Sequence, residues 1–279
     1  VTKQKLGEVR LQKPVEVLFE GVREDLFDEK KSDDKLLSKV KTDFNFLIVG
    51  HWLSGKLGED RKDIGMAIKT FCTVFQNEKK NKPGLILKTS SAGFSVGARE
   101  QIIDKINEVT EEFGKNCPPI YLLFGDLSPE EMNSLYHSSK VKAMISFTKG
   151  EGFGRPLAEF ALTGKPIIVS DWSGHTDFLP KENVVYLSGE LTNVHDTAAN
   201  KFLLKDSKWF TVKYSDAAGK IQDVFKNYKT YLEKSKPLTS HIKKNFSIKR
   251  QTELLRGIFD KYVKVQQFVE LKLPELKKL

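Results

Sequence analysis

The sequence has little cysteine and lacks any long apolar run. Only two of its 279 residues are cysteines, Cys72 and Cys117, and they lie far apart along the chain. Two such cysteines predict neither a disulfide framework nor a zinc cluster. No stretch of about 18 apolar residues occurs, and no charged-then-apolar leader opens the chain, which begins at Val1. We therefore expect a cytoplasmic protein without a membrane span, and we expect that an upstream segment is absent.

The excess of positive charge is confined to one end of the chain. Residues 226 to 279 contain 14 lysines and arginines against five acidic residues, which accounts for the whole net charge of +9. No nucleic-acid-reading motif accompanies this basic segment, so we predict a solvated helical face and no nucleic-acid partner. Peripheral contact with the inner face of an anionic membrane stays an open interpretation.

Short apolar runs alternate with longer amphipathic runs from about residue 42 onward. This pattern predicts an α/β fold, a Rossmann-like, doubly wound parallel sheet wrapped by helices. In such a sheet, ligands bind beyond the carboxyl ends of the strands. The predicted strands cover residues 44 to 50, 84 to 90, 120 to 126, 142 to 148, 166 to 171 and 183 to 189, and the predicted helices cover 62 to 77, 98 to 114, 129 to 138 and 155 to 163.

The two ends of the chain follow other patterns. Residues 15 to 27, VEVLFEGVREDLF, predict a strand and a turn, and residues 28 to 40 predict a charged linker or short helix. Residues 215 to 268 show helical periodicity with breaks around Pro237 and at 245 to 247. The sequence therefore predicts a helical carboxyl-terminal tail.

A glycine-rich turn carries the clearest chemical signal. In EGFGRPLAE, residues 151 to 159, the bare backbone at Gly152 and Gly154 is flanked by the carboxylates of Glu151 and Glu159. Exposed N–H groups at a strand-to-helix junction hold phosphate or sugar hydroxyls well, and the two carboxylates can accept hydrogen bonds from a polyol. The competing structural interpretation is that a glutamate near the start of a helix complements its dipole.

This stretch, with Lys165-Pro166 and the Asp171-to-His175 loop that follow, closely resembles the E-x7-E region of retaining glycosyltransferases of the GT-B fold, best of all family four, the group 1 type. The resemblance implies that Glu151 contacts the donor sugar and that Glu159 binds the ribose hydroxyls. It further implies that the backbone of Gly152, Phe153 and Gly154 meets sugar and phosphate, and that no metal or other cofactor is required.

Other segments fit the same resemblance. Residues 44 to 71 are similar to the first strand, phosphate loop and helix of the donor-binding domain, which makes Arg61-Lys62 the pair that grips the donor diphosphate. Asp126 and Leu127 match the loop that holds the base. Lys88 is a further phosphate candidate or an ordinary exposed lysine.

Two histidines leave the interpretation open. His51 stands where the family usually has an arginine, so Arg61, Lys56 or an arginine elsewhere substitutes for it, or phosphate is held less firmly. His175 either donates a hydrogen bond to the donor or is an exposed loop residue. Trp172 is expected to be half-buried and to pack its loop.

The resemblance covers only the carboxyl-terminal, donor-binding half of a GT-B enzyme. Residues 1 to 41 look like the end of the amino-terminal domain and the connector, with Glu20 in place of the usual asparagine. The resemblance implies that residues 42 to 245 form the nucleotide-sugar-binding domain and that residues 246 to 279 form the crossing helix and basic tail. The resemblance implies that a missing amino-terminal domain binds most of the acceptor, a saccharide or lipid-linked molecule.

The expected function is therefore transfer of a sugar from a nucleoside-diphosphate sugar with retention of configuration, in polysaccharide biosynthesis, and with little activity from this part alone. Two alternatives remain: a GT-B sugar-nucleotide epimerase, and a non-enzymatic nucleotide- or sugar-binding module. A dinucleotide dehydrogenase is disfavoured because no G-x-G-x-x-G follows the first predicted strand.

Overall fold

The structure, a computed structural model, describes residues 14 to 27, 34 to 53, 55 to 91, 93 to 200 and 203 to 263. The expectations for residues 1 to 13, for most of the charged linker and for the basic tail lie outside these ranges.

Six parallel strands form the central sheet in the order β3-β2-β1-β4-β5-β6. The order reverses direction between β1 and β4, which makes the sheet doubly wound, and this confirms the predicted α/β, Rossmann-like class. The strands are β1 Asn45–His51, β2 Gly84–Ser90, β3 Ile120–Phe124, β4 Val141–Ser146, β5 Ile167–Ser170 and β6 Val185–Leu187.

Helices cover both faces of the sheet. Side chains alternate along a strand, so on β1 Phe46 and Ile48 enter one core with Phe71, while Leu47 enters the other with Tyr136. The helices that follow the first four strands are α1 Ile64–Phe75, α2 Val96–Thr110, α3 Pro129–His137 and α4 Arg155–Ala161.

Local signals account for where two of these helices begin and end. Ser128 caps α3, its hydroxyl accepting from the N–H of Glu131 while the Glu131 carboxylate accepts from the N–H of Ser128. Beyond α4, Gly164 adopts a left-handed φ of 65°, which ends the helical turn before Lys165-Pro166 leads into β5. Both boundaries agree with the sequence.

The described part of the chain ends in four helices; the breaks at Pro237 and at residues 245 to 247 were predicted, and the division at Asn227 was not. They are α5 Tyr214–Lys226, α6 Tyr228–Ser235, α7 Pro237–Phe246 and α8 Ile248–Tyr262. Pro237 begins α7, and Ser247 separates α7 from α8 and caps the latter. No helix in the described ranges is both long and apolar enough to cross a bilayer.

The prediction of a strand within residues 15 to 27 is wrong. This connector forms only one parallel bridge, between Val22 and Ser247, in which the Val22 N–H donates to Phe246 O at 2.8 Å and the Ile248 N–H donates to Val22 O at 3.0 Å. The partner is the junction of two helices, which cannot extend a strand ladder. Val15 and Val17 therefore remain 70% and 73% exposed despite their strand propensity.

Beyond the connector, a short 3₁₀ turn at Asp34–Leu37 belongs to the predicted linker.

A β-hairpin was missed by the sequence interpretation. Strands β7 Gly189–Asn193 and β8 Lys208–Val212 pair antiparallel and form a second, two-stranded sheet. β7 is largely exposed and mixes charged with polar residues, so it has no clear alternating pattern. Phe210 donates its N–H to the carbonyl of Lys149 at 3.0 Å, which joins the hairpin to the loop after β4.

Candidate functional site

Glu151 lies just beyond β4 and is held by two cations from the loop between β1 and α1. Its Oε1 accepts a hydrogen bond from the Lys62 ammonium, and its Oε2 lies 3.3 Å from Arg61 Nη1. The side chain of Glu151 is only 10% exposed and that of Lys62 only 15%. Burial would raise the pKa of Glu151, but the charges of Lys62 and Arg61 hold it below its usual value. A buried ion pair therefore occupies the carboxyl edge of the sheet.

Arg61 also stabilises the backbone beside Glu151. Its Nη1 donates to the carbonyl oxygen of Gly150 at 2.5 Å, and its own carbonyl accepts from the N–H of Lys149 at 2.8 Å. The stem of Lys62 runs along Gly50 at the end of β1, where an added Cβ would lie 3.4 Å from Lys62 Cδ. Arg61 and Lys62, the candidates for binding the diphosphate, therefore both contact Glu151.

The loop after β5 is hydrogen-bonded to the glycine turn. Ser173 Oγ accepts from the N–H of Glu151 at 2.7 Å and donates to Glu151 O at 2.5 Å, and Gly174 N–H donates to the same oxygen at 3.1 Å. A Cβ added to Gly174 would fall 1.9 Å from the carbonyl oxygen of Gly152. Only glycine fits there, because the two backbones touch.

His175 is fully buried beneath this loop, so the alternative of an exposed loop residue is wrong. Its Nε2 donates to the carbonyl oxygen of Ser170 at 2.7 Å. Burial lowers its pKa, and the bond to the Ser170 carbonyl opposes that effect. At neutral pH the ring is therefore an uncharged support for the loop. Trp172 is half-buried as expected and stacks on Phe210, with ring centroids 6.3 Å apart.

Glu159 lies on α4, away from the Glu151 pair, and lines a separate cavity. Its Oε2 accepts from the hydroxyl of Tyr136, a fully buried residue, at 3.2 Å. Burial raises the pKa of Glu159 to about 7, against the opposing effects of Tyr136 and the Arg155 charge. Tyr136 could not be identified from the sequence because it contacts Glu159 only through the packing of α3 on α4.

The cavity beside Glu159 has a volume of about 470 Å³. The connector closes one side and the start of α3 closes another, while Arg155 bridges to Glu20 of the connector at 3.1 Å. Its lining includes Gly21, Arg23, Leu26, Leu127, Pro129 and Met132. Two of the site candidates, Glu159 and Leu127, therefore share one space.

Lys62 lines a second cavity, of about 410 Å³, together with His51 and Arg61. The segment between β7 and β8 contributes Ala198, Asn200 and Leu203 to the lining. Burial lowers the pKa of His51, and the charges of Lys88 and Lys62 lower it further. Lys62 and Arg61 bring two cations to this cavity, and Asp60 also lines it.

The remaining candidates lie at the ends of neighbouring strands. Lys88 donates through Nζ to the carbonyl of Gly125 at 2.6 Å and so braces the loop after β3, in which Asp126 is exposed. Phe153 is buried, and its ring packs against Phe178 with centroids 4.7 Å apart. Within the turn Gly152 is exposed, whereas Phe153 and Gly154 are buried.

Comparison with known proteins gives matches at the level of structure. No protein-family model matches the chain, and no curated protein matches it in sequence. A glycosyltransferase from Rickettsia africae superposes with a TM-score of 0.64 and 16% identity, over 95% of this chain and 62% of its own. Anabaena HepE, solved with UDP and glucose, gives 0.60 and 13%, over 88% and 57%.

The carboxyl-terminal domain of a group 1 glycosyltransferase from Francisella tularensis gives a TM-score of 0.55 and 13% identity, over 82% of this chain and 100% of that domain. The chain thus spans less than two thirds of the Rickettsia and Anabaena proteins. At these identities the similarity establishes the fold, an α/β Rossmann-like domain shared with GT-B glycosyltransferases.

Proposed function

We propose that this chain is the carboxyl-terminal, donor-binding part of a retaining glycosyltransferase of the family-four type, which uses a nucleoside-diphosphate sugar. The observation that carries the proposal is the placement of Glu151 with Lys62 and Arg61 at one end of the glycine turn, and of Glu159 with its own cavity at the other end. Support also comes from HepE, which was solved with UDP-glucose, and from the Francisella domain.

The nucleoside end of the donor fits the cavity beside Glu159. An ionised carboxylate accepts hydrogen bonds from two adjacent hydroxyls, as a ribose offers, and Tyr136 holds this carboxylate in place. Leu127 and Met132 supply apolar surface for the flat face of a base. This lining does not distinguish one base from another, so the proposal covers uridine, guanosine and adenosine donors.

The diphosphate fits the cations on the other side of the turn. Lys62 and Arg61 both line the second cavity, and the Arg61 side chain is 45% exposed, so it can reach a ligand. Lys88 is committed to the Gly125 carbonyl, which makes Arg61 the better substitute for the arginine that the family has in place of His51. In the free protein Lys62 bonds Glu151, and a bound diphosphate would share that ammonium.

The same groups suit the chemistry of transfer. When the bond between the sugar and the diphosphate breaks, negative charge develops on the departing phosphate oxygen, and Lys62 and Arg61 stabilise it electrostatically. Glu151 accepts hydrogen bonds from sugar hydroxyls and orients the sugar. Retention requires the acceptor to approach the face that the phosphate leaves. His175 contributes by supporting the turn rather than by touching the donor.

The acceptor, a saccharide or a lipid-linked molecule, is proposed to bind with a second GT-B domain. The connector and α8 present a surface suited to that domain, since Val15, Val17, Leu255 and Phe259 are all exposed. Glu16 fastens the two elements together by accepting from Lys261 Nζ at 2.9 Å and from the Tyr262 hydroxyl at 2.6 Å. The proposed setting is the cytoplasm, in polysaccharide biosynthesis.

Thermal stability in the presence of UDP, GDP, ADP and the corresponding nucleotide sugars tests the proposal. One diphosphate family should raise the melting temperature of the wild type and fail to do so with Glu159→Ala. Glu182→Ala, which alters an exposed glutamate away from both cavities, should respond like the wild type. Absence of stabilisation by every nucleotide would overturn the proposal.

A further inference from the structure

Lys149 lies at the junction of three segments that surround the Glu151 pair. Its backbone N–H donates to Arg61 O at 2.8 Å, and its backbone carbonyl accepts from Phe210 N–H at 3.0 Å. Its ammonium donates to the carbonyl oxygen of Gly58. One residue therefore ties the phosphate loop at two points, 58 and 61, to the loop after β4 and to the hairpin.

Two buried carboxylates lie close to this ammonium. Asp63, fully buried, has Oδ1 at 3.9 Å from Lys149 Nζ and accepts through Oδ2 from the Tyr214 hydroxyl at 2.8 Å. Burial raises the pKa of Asp63 to about 6, and Lys149 opposes that rise. Asp60, also buried, has a pKa that burial raises and that backbone N–H groups and Lys149 lower. The charge of Lys149 therefore opposes the effect of burial on both acids.

An aromatic ring completes the enclosure of Lys149. Its ammonium lies 4.5 Å from the centroid of the Trp209 ring, in cation–π geometry, and Trp209 itself is buried. The residue is only 2% exposed, so no donor could touch it. Lys149 can affect a ligand only by setting where other groups lie.

Lys149 can determine the positions of Glu151 and of the Arg61-Lys62 pair, the groups proposed to act on the diphosphate. Along the chain Lys149 is two residues from Glu151, and its N–H bonds the carbonyl of Arg61, the residue before Lys62. The ammonium and the backbone N–H of Lys149 hold the loop between β1 and α1 at Gly58 and Arg61, so movement of this loop away from the glycine turn would break these contacts. We propose that Lys149 is a positioning residue that holds Lys62 and Arg61 at the correct distance from Glu151 for a diphosphate.

The ligand part of this proposal rests on the proposed function, whereas the loop part does not. The variant Lys149→Met keeps the length of the stem and removes the charge. Lys208→Met is the matched control, because Lys208 is the exposed neighbour of Trp209 in β8. Three quantities are measured: the hydrogen-exchange rates of the amides in residues 56 to 62, the affinity for a nucleoside diphosphate, and the affinity for the same nucleoside without phosphates.

In Lys149→Met we expect the amides of residues 56 to 62 to exchange at least tenfold faster than in the wild type. Affinity for the diphosphate should fall at least tenfold, whereas affinity for the nucleoside should change less than twofold. Lys208→Met should match the wild type in all three. Unchanged exchange would overturn the proposal, and so would an equal loss of nucleoside and diphosphate binding, since that pattern indicates a merely structural role.

A second variant covers the case in which Lys149→Met folds poorly. Adding Asp63→Asn removes one of the acids left without a cation and should restore stability, but it cannot restore the bond to Gly58. Diphosphate affinity should therefore stay low, and its recovery together with stability would overturn the proposal. If the wild type itself binds no diphosphate, the proposed function fails, and hydrogen exchange still decides whether Lys149 holds the loop.

Discussion

The carboxylate of Glu151 bonds the ammonium of Lys62, a residue 89 positions earlier in the chain. The pair is nearly enclosed and lies where β1 and β4, adjacent strands of the parallel sheet, both end. Neighbouring strands of a parallel sheet end at the same edge, so residues far apart in sequence meet there.

Loss of Lys62 should destabilise the protein because it leaves the carboxylate of Glu151 partly unpaired. For Lys62→Met we expect the free energy of unfolding to fall by about 1 to 3 kcal/mol, less than for a wholly unpaired buried charge, since Arg61 remains. Adding Glu151→Gln should recover part of that loss. Urea denaturation of the single and double variants measures both quantities.

Lys69→Met is the control for this comparison, because Lys69 pairs with Glu112 at 2.7 Å on the surface. Such pairs contribute about 0 to 1 kcal/mol. Two results would contradict the interpretation of a buried pair. One is that Lys69→Met lowers the free energy of unfolding as much as Lys62→Met does. The other is that the double variant Lys62→Met, Glu151→Gln is no more stable than Lys62→Met alone.

Nucleoside affinity should rise with pH through about 7, the pKa to which burial raises Glu159. In the proposed binding mode, the ionised carboxylate accepts hydrogen bonds from two ribose hydroxyls, whereas the protonated form has lost part of that capacity. Calorimetric titration of the nucleoside between pH 5.5 and 8.5 avoids the ionisation of phosphates. Glu159→Gln should bind more weakly and without this dependence, and persistence of the same pH profile in the variant would exclude Glu159 as its source.

The raised pKa of Glu159 also predicts that its contribution to stability falls as the pH rises, whereas nucleoside affinity rises. The native protein holds the Glu159 proton more tightly than the unfolded chain, whose glutamate has its ordinary pKa of about 4.5. The Glu159 contribution to stability is therefore full below about pH 4.5 and is lost as the pH rises through about 7. Relative to wild type, Glu159→Gln should gain stability between pH 5 and pH 8, which thermal denaturation measures, and a constant difference would argue against the raised pKa.

Gly174→Ala should disrupt the glycine turn through its backbone, without changing the side chain of either glutamate. The new Cβ would overlap the carbonyl oxygen of Gly152, so the backbone at Glu151 must move. We expect stability to fall by about 1 to 3 kcal/mol and diphosphate affinity to fall with it. Gly219→Ala, on the exposed side of α5 with open space around it, should instead stabilise by about 0.5 to 1 kcal/mol. Equal effects of the two substitutions would show that the close approach is unimportant.

Native Cys72 should resist thiol reagents. It is fully buried among aromatic rings of α1, and burial raises the pKa of its thiol. The Sγ of Cys117 lies 3.9 Å away, a proximity that the sequence did not indicate, and both cysteines are free. In a Cys117→Ser variant, Ellman's reagent should react at pH 8 only after urea is added, and rapid native labelling would contradict the burial of Cys72.

Sequence by itself determined the elements whose signals are local. Apolar periodicity located the six strands and the main helices of the Rossmann-like domain, and caps such as Ser128 fixed a helix boundary. The glycines around Glu151 and Glu159 indicated the turn, because glycine has no side chain and is the residue type used where the backbone must stay bare. The connector misled the prediction, since its valines have strand propensity but find only the single bridge from Val22 to Ser247.

Tertiary structure alone decided which residues meet. It brought Lys62 and Arg61 to Glu151, Tyr136 to Glu159 and His175 to the carbonyl of Ser170. It also placed Lys149 between the β1–α1 loop and the hairpin. No local pattern encodes these contacts, since each joins segments brought together by the order of strands in the sheet and by the packing of helices on its faces. Whether a charged residue is paired, buried or free to meet a ligand is a property of those non-local contacts.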